Sequence, residues 1–161
     1  MTQKGTVKPG KLEDNPLWRE ASDLAEYMYS RLVLFPPDEK WDTVRKIRSS
    51  ANDLMFDVGQ AVSNTIPIGA EYEWGNASKH LGGLKTMYRF ACRQGFLELE
   101  PKIMVRLDKL VEQIQSEIAN AAEKTKLNEE HQLNLWREQY RLWREMYVDD
   151  FHKPAGHHHE G

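Results

Sequence analysis

The chain has 161 residues, 29% charged and 40% hydrophobic, which fits a single globular domain and excludes a disordered or membrane-spanning composition. A formal net charge of −3 excludes a globally basic nucleic-acid binder, so any phosphate contact must come from a local patch. One cysteine, Cys92, excludes an internal disulfide and points to a reducing, cytoplasmic home. No apolar run approaches the roughly 20 residues of a membrane helix, and the polar stretch Met1 to Gly10 holds no signal-peptide core.

Residues 1–14 read as a loose arm, since they are polar and interrupted by Gly5, Pro9 and Gly10. A first helix is expected from Pro16, a favourable first-turn residue next to a capping Asn15. Leu17, Ala21, Leu24, Tyr27, Met28 and Leu32 recur at helical spacing, and Phe35-Pro36-Pro37 ends the run. A second helix is expected from about Asp38 to Asn64, with Trp41, Val44, Ile47, Ala51, Leu54, Met55, Val58 and Val62 as its stripe. Thr65 to Gly69 is a connection whose Ile66 and Ile68 are expected to cover the end of a bundle. The third helix, about Ala70 to Arg93, buries Ala77, Leu81, Leu84, Met87, Tyr88 and Ala91. Gly82-Gly83 in its middle implies a close backbone approach, and Gly95 is its stop.

The fourth helix follows Pro101 to about Ala122, burying Ile103, Val105, Leu107, Leu110, Val111, Ile114 and Ile118. A fifth, amphipathic and aromatic, is expected over 126–150, where Leu133, Trp136, Tyr140, Trp143 and Tyr147 alternate steps of three and four. Residues 151–161 read as a tail, including a His157-His158-His159 run able to hold a metal only weakly. No strand signal and no internal repeat is read. The expected architecture is all-α: an up-down four-helix bundle over 15–124 with an additional C-terminal helix.

No catalytic or cofactor signature is present. A di-metal bundle site needs Glu-x-x-His motifs on facing helices, and no Glu stands three residues before any His. There is no His-Glu-x-x-His and no phosphate-cradling glycine loop with its lysine. Cys92 has Arg89 and Arg93 nearby, which would lower its pKa if the thiol were exposed; the competing reading is a small core residue. No enzyme activity, metal or cofactor is therefore expected.

Charge is distributed unevenly. Between Glu73 and Glu98 there is no acidic residue, but there are Lys79, Lys85, Arg89 and Arg93, the last three spaced by four along one side of the third helix. Arg45, Lys46 and Arg48 cluster on the second. Such a set can hold phosphates, or it can be an ordinary solvated face. On the fifth helix Trp136, Tyr140, Trp143 and Tyr147 form the candidate partner or oligomer contact, with Arg137, Arg141 and Arg144 beside them.

The chain resembles a four-helix-bundle family found in intervening sequences of bacterial large-subunit ribosomal RNA genes, whose related branch is the accessory variability determinant of diversity-generating retroelements. The carrying residues are Phe35-Pro36-Pro37-Asp38-Glu39 closing the first helix, Ile47-Arg48-Ser49-Ser50-Ala51 in the second, and Ala91-Cys92-Arg93-Gln94-Gly95-Phe96-Leu97 ending the third. The resemblance covers about residues 16–120. It departs at Val58-Gly59-Gln60-Ala61-Val62, in the near-neutral charge, and in the aromatic fifth helix. It implies a ring of five bundles and a bacterial or phage protein. It also implies a non-enzymatic role, binding a reverse transcriptase and RNA or RNA/DNA to support mutagenic cDNA synthesis. The alternative is a structural bundle that docks a partner protein without nucleic acid.

Overall fold

The computed structural model describes residues 12–147, so the expected arm up to residue 11 and the tail from 148, with its histidines, lie outside the described residues. The described chain is all-α: α1 (Pro16–Arg31), two short 3-10 segments (Leu32–Leu34 and Pro37–Trp41), α2 (Thr43–Ser63), α3 (Pro67–Arg93) and α4 (Pro101–Tyr147). It divides into two compact units at Glu123/Lys124.

In the first unit, helix punctuation follows local chemistry. Asn15 accepts the amide protons of Leu17 and Trp18 at 2.9 and 3.1 Å, capping α1 ahead of Pro16. At the end of α3, Gly95 takes a φ of +75°. The Phe96 amide then reaches the Ala91 carbonyl and the Gly95 amide reaches that of Cys92, at 3.0 and 3.1 Å. This is the paired-bond termination that a left-handed glycine permits.

The pairing between helices establishes the up-down order. Trp18 lies against Gly59 while Tyr29 donates to Asn52, so α1 and α2 run antiparallel. Asp57 meets His80 and Ser50 meets Gly83, giving the same sense for α2 and α3. Lys85 pairs with Asp108 and Ser78 with Gln115, which sets α4 antiparallel to α3. Arg106 closes the circuit to α1 with a two-pronged contact to Glu20, at 2.7 and 3.0 Å. Leu24, Met28, Ile47, Leu54, Val58, Leu81, Leu84, Leu107, Leu110 and Ile114 fill the single core between them.

Five expectations are corrected. The second helix begins at Thr43, because Pro37 starts a separate 3-10 turn; Trp41 is left 73% exposed, with the Lys40 ammonium 5.4 Å from its ring centre. The third helix begins at Pro67, so Ile66 and Ile68 stand at its outer N-terminal turn, exposed, and do not cover the core. Val105 is exposed, two residues from each of the buried Ile103 and Leu107 and so on the other side of the helix. At the glycine pair only Gly83 meets a neighbour, Ser50 Oγ at 3.4 Å from where a Cβ would sit; Gly82 faces open space. Finally, the fourth and expected fifth helices are one continuous α4, since residues 120–128 contain neither glycine nor proline and are mostly good helix formers.

Leu84 is fully buried in α3. Leu84→Ala should cost about 2–5 kcal/mol in denaturant melts, the range for a cavity in a packed core; a loss under about 0.5 kcal/mol, the scale of a surface change, would contradict this packing.

Candidate nucleic-acid interface

The core of α3 turns Trp74, Ala77, Leu81, Leu84, Tyr88 and Ala91 inward. The opposite side of the same helix therefore faces water, and it carries Lys79, Arg89 and Arg93, all exposed and without an ion pair among the described residues. Lys85 differs: it lies toward α4 and is bound to Asp108. A cation already neutralised by a carboxylate has little attraction left for a phosphate, so the row of three basic residues spaced by four contributes two free charges.

The basic trio of α2 does not form one patch. Arg48 turns toward α1 and lies over the Tyr29 ring, 5.6 Å from its centre. Lys46 points the other way, into a groove of about 520 Å³ shared with Glu39, Asp42, Thr43, Met87 and Phe90. The two are about 160° apart around the helix. Arg45 lies outward between them, exposed and without an ion pair among the described residues.

Two aromatic residues join the α3 face that sequence reasoning passed over. Tyr72 is 68% exposed and Phe90 44% exposed. Their eighteen-residue separation is about five turns, so they share one line of the helix with Lys79 between them. Both stand off the apolar stripe, and a large apolar residue out of phase with its own core was the available signal. The face alternates rings with cations and contains no carboxylate from Trp74 to Leu97.

Two polar clusters inside the bundle have other work. Asp57, buried in α2, receives His80 Nδ1 at 2.6 Å, while His80 Nε2 stands 3.9 Å from Asp53. The 2.6 Å contact ties α2 to α3. At the other end, the fully buried Tyr88 hydroxyl accepts the Glu100 amide at 3.0 Å. The Glu100 carboxylate accepts Tyr27 at 2.6 Å and Arg31 at 3.0 Å. Burial, with the Glu100 carboxylate next to it, pushes the Tyr27 phenol well above its ordinary range. Among the described residues no cluster of three metal-ligating side chains exists, and no helix is long and apolar enough to cross a membrane.

The second unit, described by itself, is the distal part of α4. Trp136 is 60% exposed, and Tyr140 and Trp143 are about half open. Their rings stack in series, Trp136 on Tyr140 at 5.6 Å and Tyr140 on Trp143 at 6.1 Å. Tyr147 ends the helix, and its side chain lies outside the described residues. Arg141 bridges Glu138 and Glu145, holding the Glu138 carboxyl below its usual range.

One further correction belongs to this segment. Residues 132–138 read Gln-Leu-Asn-Leu-Trp-Arg-Glu and residues 139–145 Gln-Tyr-Arg-Leu-Trp-Arg-Glu, identical at five of seven positions. This is an internal repeat, too short to register at the periods of 20–50 residues that mark repeat folds.

No protein-family model matches this chain, and no curated protein sequence matches it.

Cys92 tests the local electrostatics. Partial burial raises its thiol pKa, against a lowering contact from the Tyr88 hydroxyl, so Arg89 and Arg93 do not make it a reactive thiolate. Alkylation at pH 7 should run slower than that of free cysteine and accelerate only as pH climbs past the ordinary thiol range. A rate at or above that of free cysteine would overturn this assignment.

Proposed function

We propose that this chain is a non-enzymatic binding protein that holds RNA, or an RNA/DNA hybrid, along the outer face of α3. The role is that of an accessory to a retroelement reverse transcriptase, which the resemblance over residues 16–120 implies. The observation that carries the RNA reading is the exposed row of Lys79, Arg89, Phe90 and Arg93, in a stretch of α3 that has no carboxylate of its own from Trp74 to Leu97; Glu71 and Glu73 flank Tyr72 at its start, and Glu39 and Asp42 share the groove beside Phe90. Cations without protein counter-ions release condensed salt when they meet phosphates, and that release drives binding even on a chain of near-neutral total charge. Exposed rings between them offer stacking surfaces to unpaired bases, which favours single strands over duplex. In this reading the protein acts in the cytoplasm of a bacterial or phage-infected cell, as a homo-oligomer that the resemblance puts at five copies. The polymerase supplies the chemistry and this protein supplies a surface.

A second reading, a bundle that docks a partner protein without nucleic acid, draws on the exposed Trp136, Tyr140 and Trp143, residue types that dominate binding hot spots.

The two separate in a salt series with a single-stranded RNA oligonucleotide. The combined Lys79→Gln, Arg89→Gln and Arg93→Gln variant should bind more weakly and lose about two units of log–log salt slope, roughly 0.7 per phosphate contact removed. Lys85→Gln should stay close to wild type, because Asp108 already occupies that charge. Unchanged affinity and slope in a folded triple variant would reject the RNA reading and leave the second.

A further inference from the structure

The distal part of α4 is exposed at every described position from Lys126 to Met146. A helical segment with no tertiary packing lacks the main source of helix stability in proteins, and a stripe of open tryptophans is an aggregation liability. Its repeat states what would cover it. Seven residues is the period that keeps equivalent side chains on one line of paired helices. Here Trp136 and Trp143 share a line, flanked on one side by Leu135 and Leu142 and on the other by Leu133 and Tyr140. Together these lines span about half the circumference of the helix, wider than the a/d seam of a two-stranded coil.

Within the repeat, 132–145, the charges lie outside this arc and are sorted by sign; the turns before it are not sorted, since Lys126 and Glu129 fall on the Tyr140 and Trp136 lines and Glu130 on the Arg137 line. Arg137 and Arg144 border the Leu133/Tyr140 flank, without an ion pair among the described residues. Glu138 and Glu145 border the Leu135/Leu142 flank, bridged by the single Arg141 between them. The first edge therefore carries two positive charges, and the second, with Arg141 counted, one net negative charge. A partner whose edge repeats at seven residues with the opposite sign is another copy of this same helix. Antiparallel neighbours would set arginine edge against arginine edge; parallel neighbours, each turned the same way, set arginine edge against glutamate edge all around.

We infer that distal α4 is a self-assembly segment: more than two copies of this chain associate there in parallel, head to tail around a closed ring. Each helix packs its Leu133/Tyr140/Arg137/Arg144 side against the Leu135/Leu142/Glu138/Glu145 side of the next. Gln132 and Gln139, on the core side of the arc, pin the register, as a polar residue at a seam position does. A heterologous contact of this kind closes into a ring where the rotation between successive copies completes a circle. The inference stands whether or not α3 binds RNA.

The test uses the full chain. Sedimentation or mass photometry should give more than twice the 18.8 kDa chain mass. Arg137→Glu with Arg144→Glu, which makes both edges negative, should lower that mass while the thermal melt of the bundle is kept. Adding Glu138→Arg and Glu145→Arg to that variant should restore it, which separates edge pairing from damage to the helix. In a Cys92→Ser background, Gln132→Cys should cross-link between copies on oxidation, as parallel seams require. A folded wild-type chain of single-copy mass overturns the inference. So does a multimer whose mass is indifferent to the edge charges and that gives no Gln132→Cys cross-link, since copies would then meet elsewhere or the helix would serve a different protein.

Discussion

Tyr88 is the largest side chain sealed in the core, and its hydroxyl has to find a partner there or cost about 1–3 kcal/mol in lost hydration. The partner is the amide of Glu100, the residue before α4 begins. Through that one bond the core determines where the chain returns after Gly95. The Glu100 carboxylate then draws in Tyr27 and Arg31 from α1, with the Arg31 guanidinium 5.0 Å from the Tyr27 ring centre. Three segments distant in sequence are locked at the same end of the bundle, and the geometry of α4 against α1 and α3 follows. Midway along α3, the contact of His80 with the buried Asp57 does the equivalent work between α2 and α3.

These closures decide which charges remain available. Glu20 and Asp23 of α1 surround Arg106, and Asp108 of α4 takes Lys85, so these two basic residues are neutralised within the bundle. Lys79, Arg89 and Arg93 on α3 and Arg45 on α2 are exposed and have no ion pair among the described residues. A net charge of −3 hides this sorting, because electrostatic recognition depends on local density and not on the sum. The exposed Tyr72 and Phe90 lie on the same face, where dispersion and stacking can add to the Coulomb term.

The distal helix shows a different balance. Its residues have good helical propensity and an internal Glu–Arg–Glu bridge, yet fully solvent-exposed ion pairs are screened and add little. Those small terms leave the large apolar surface of Trp136, Trp143 and the leucines uncompensated. Burial of that surface is the dominant free energy still to be gained by this segment, which is why its chemistry is read as association.

Local rules were sufficient for several helix ends, but not for the starts of α2 and α3 or the continuity of α4. Asn15-Pro16, Phe35-Pro36-Pro37 and Gly95 mark helix ends because capping, a missing amide and a positive φ act within a few residues. The spacing of Leu24, Leu54, Leu84 and Leu107 marks the core because a helix repeats every 3.6 residues whatever it packs against. The four-spaced basic row was equally legible; the seven-residue repeat at 132–145 was not read, since two copies of seven fall far short of the periods that mark repeat folds. Phase relative to a neighbour was not legible. Whether Lys85 is free or bound depends on Asp108 arriving from α4, and whether Lys46 and Arg48 act together depends on which helices flank α2. The exposure of Val105 and Trp41 depends on where adjoining helices begin and cross. Those are long-range pairings, and no periodicity along one segment contains them; only the assembled bundle decided which charges were spent inside and which were left for a partner.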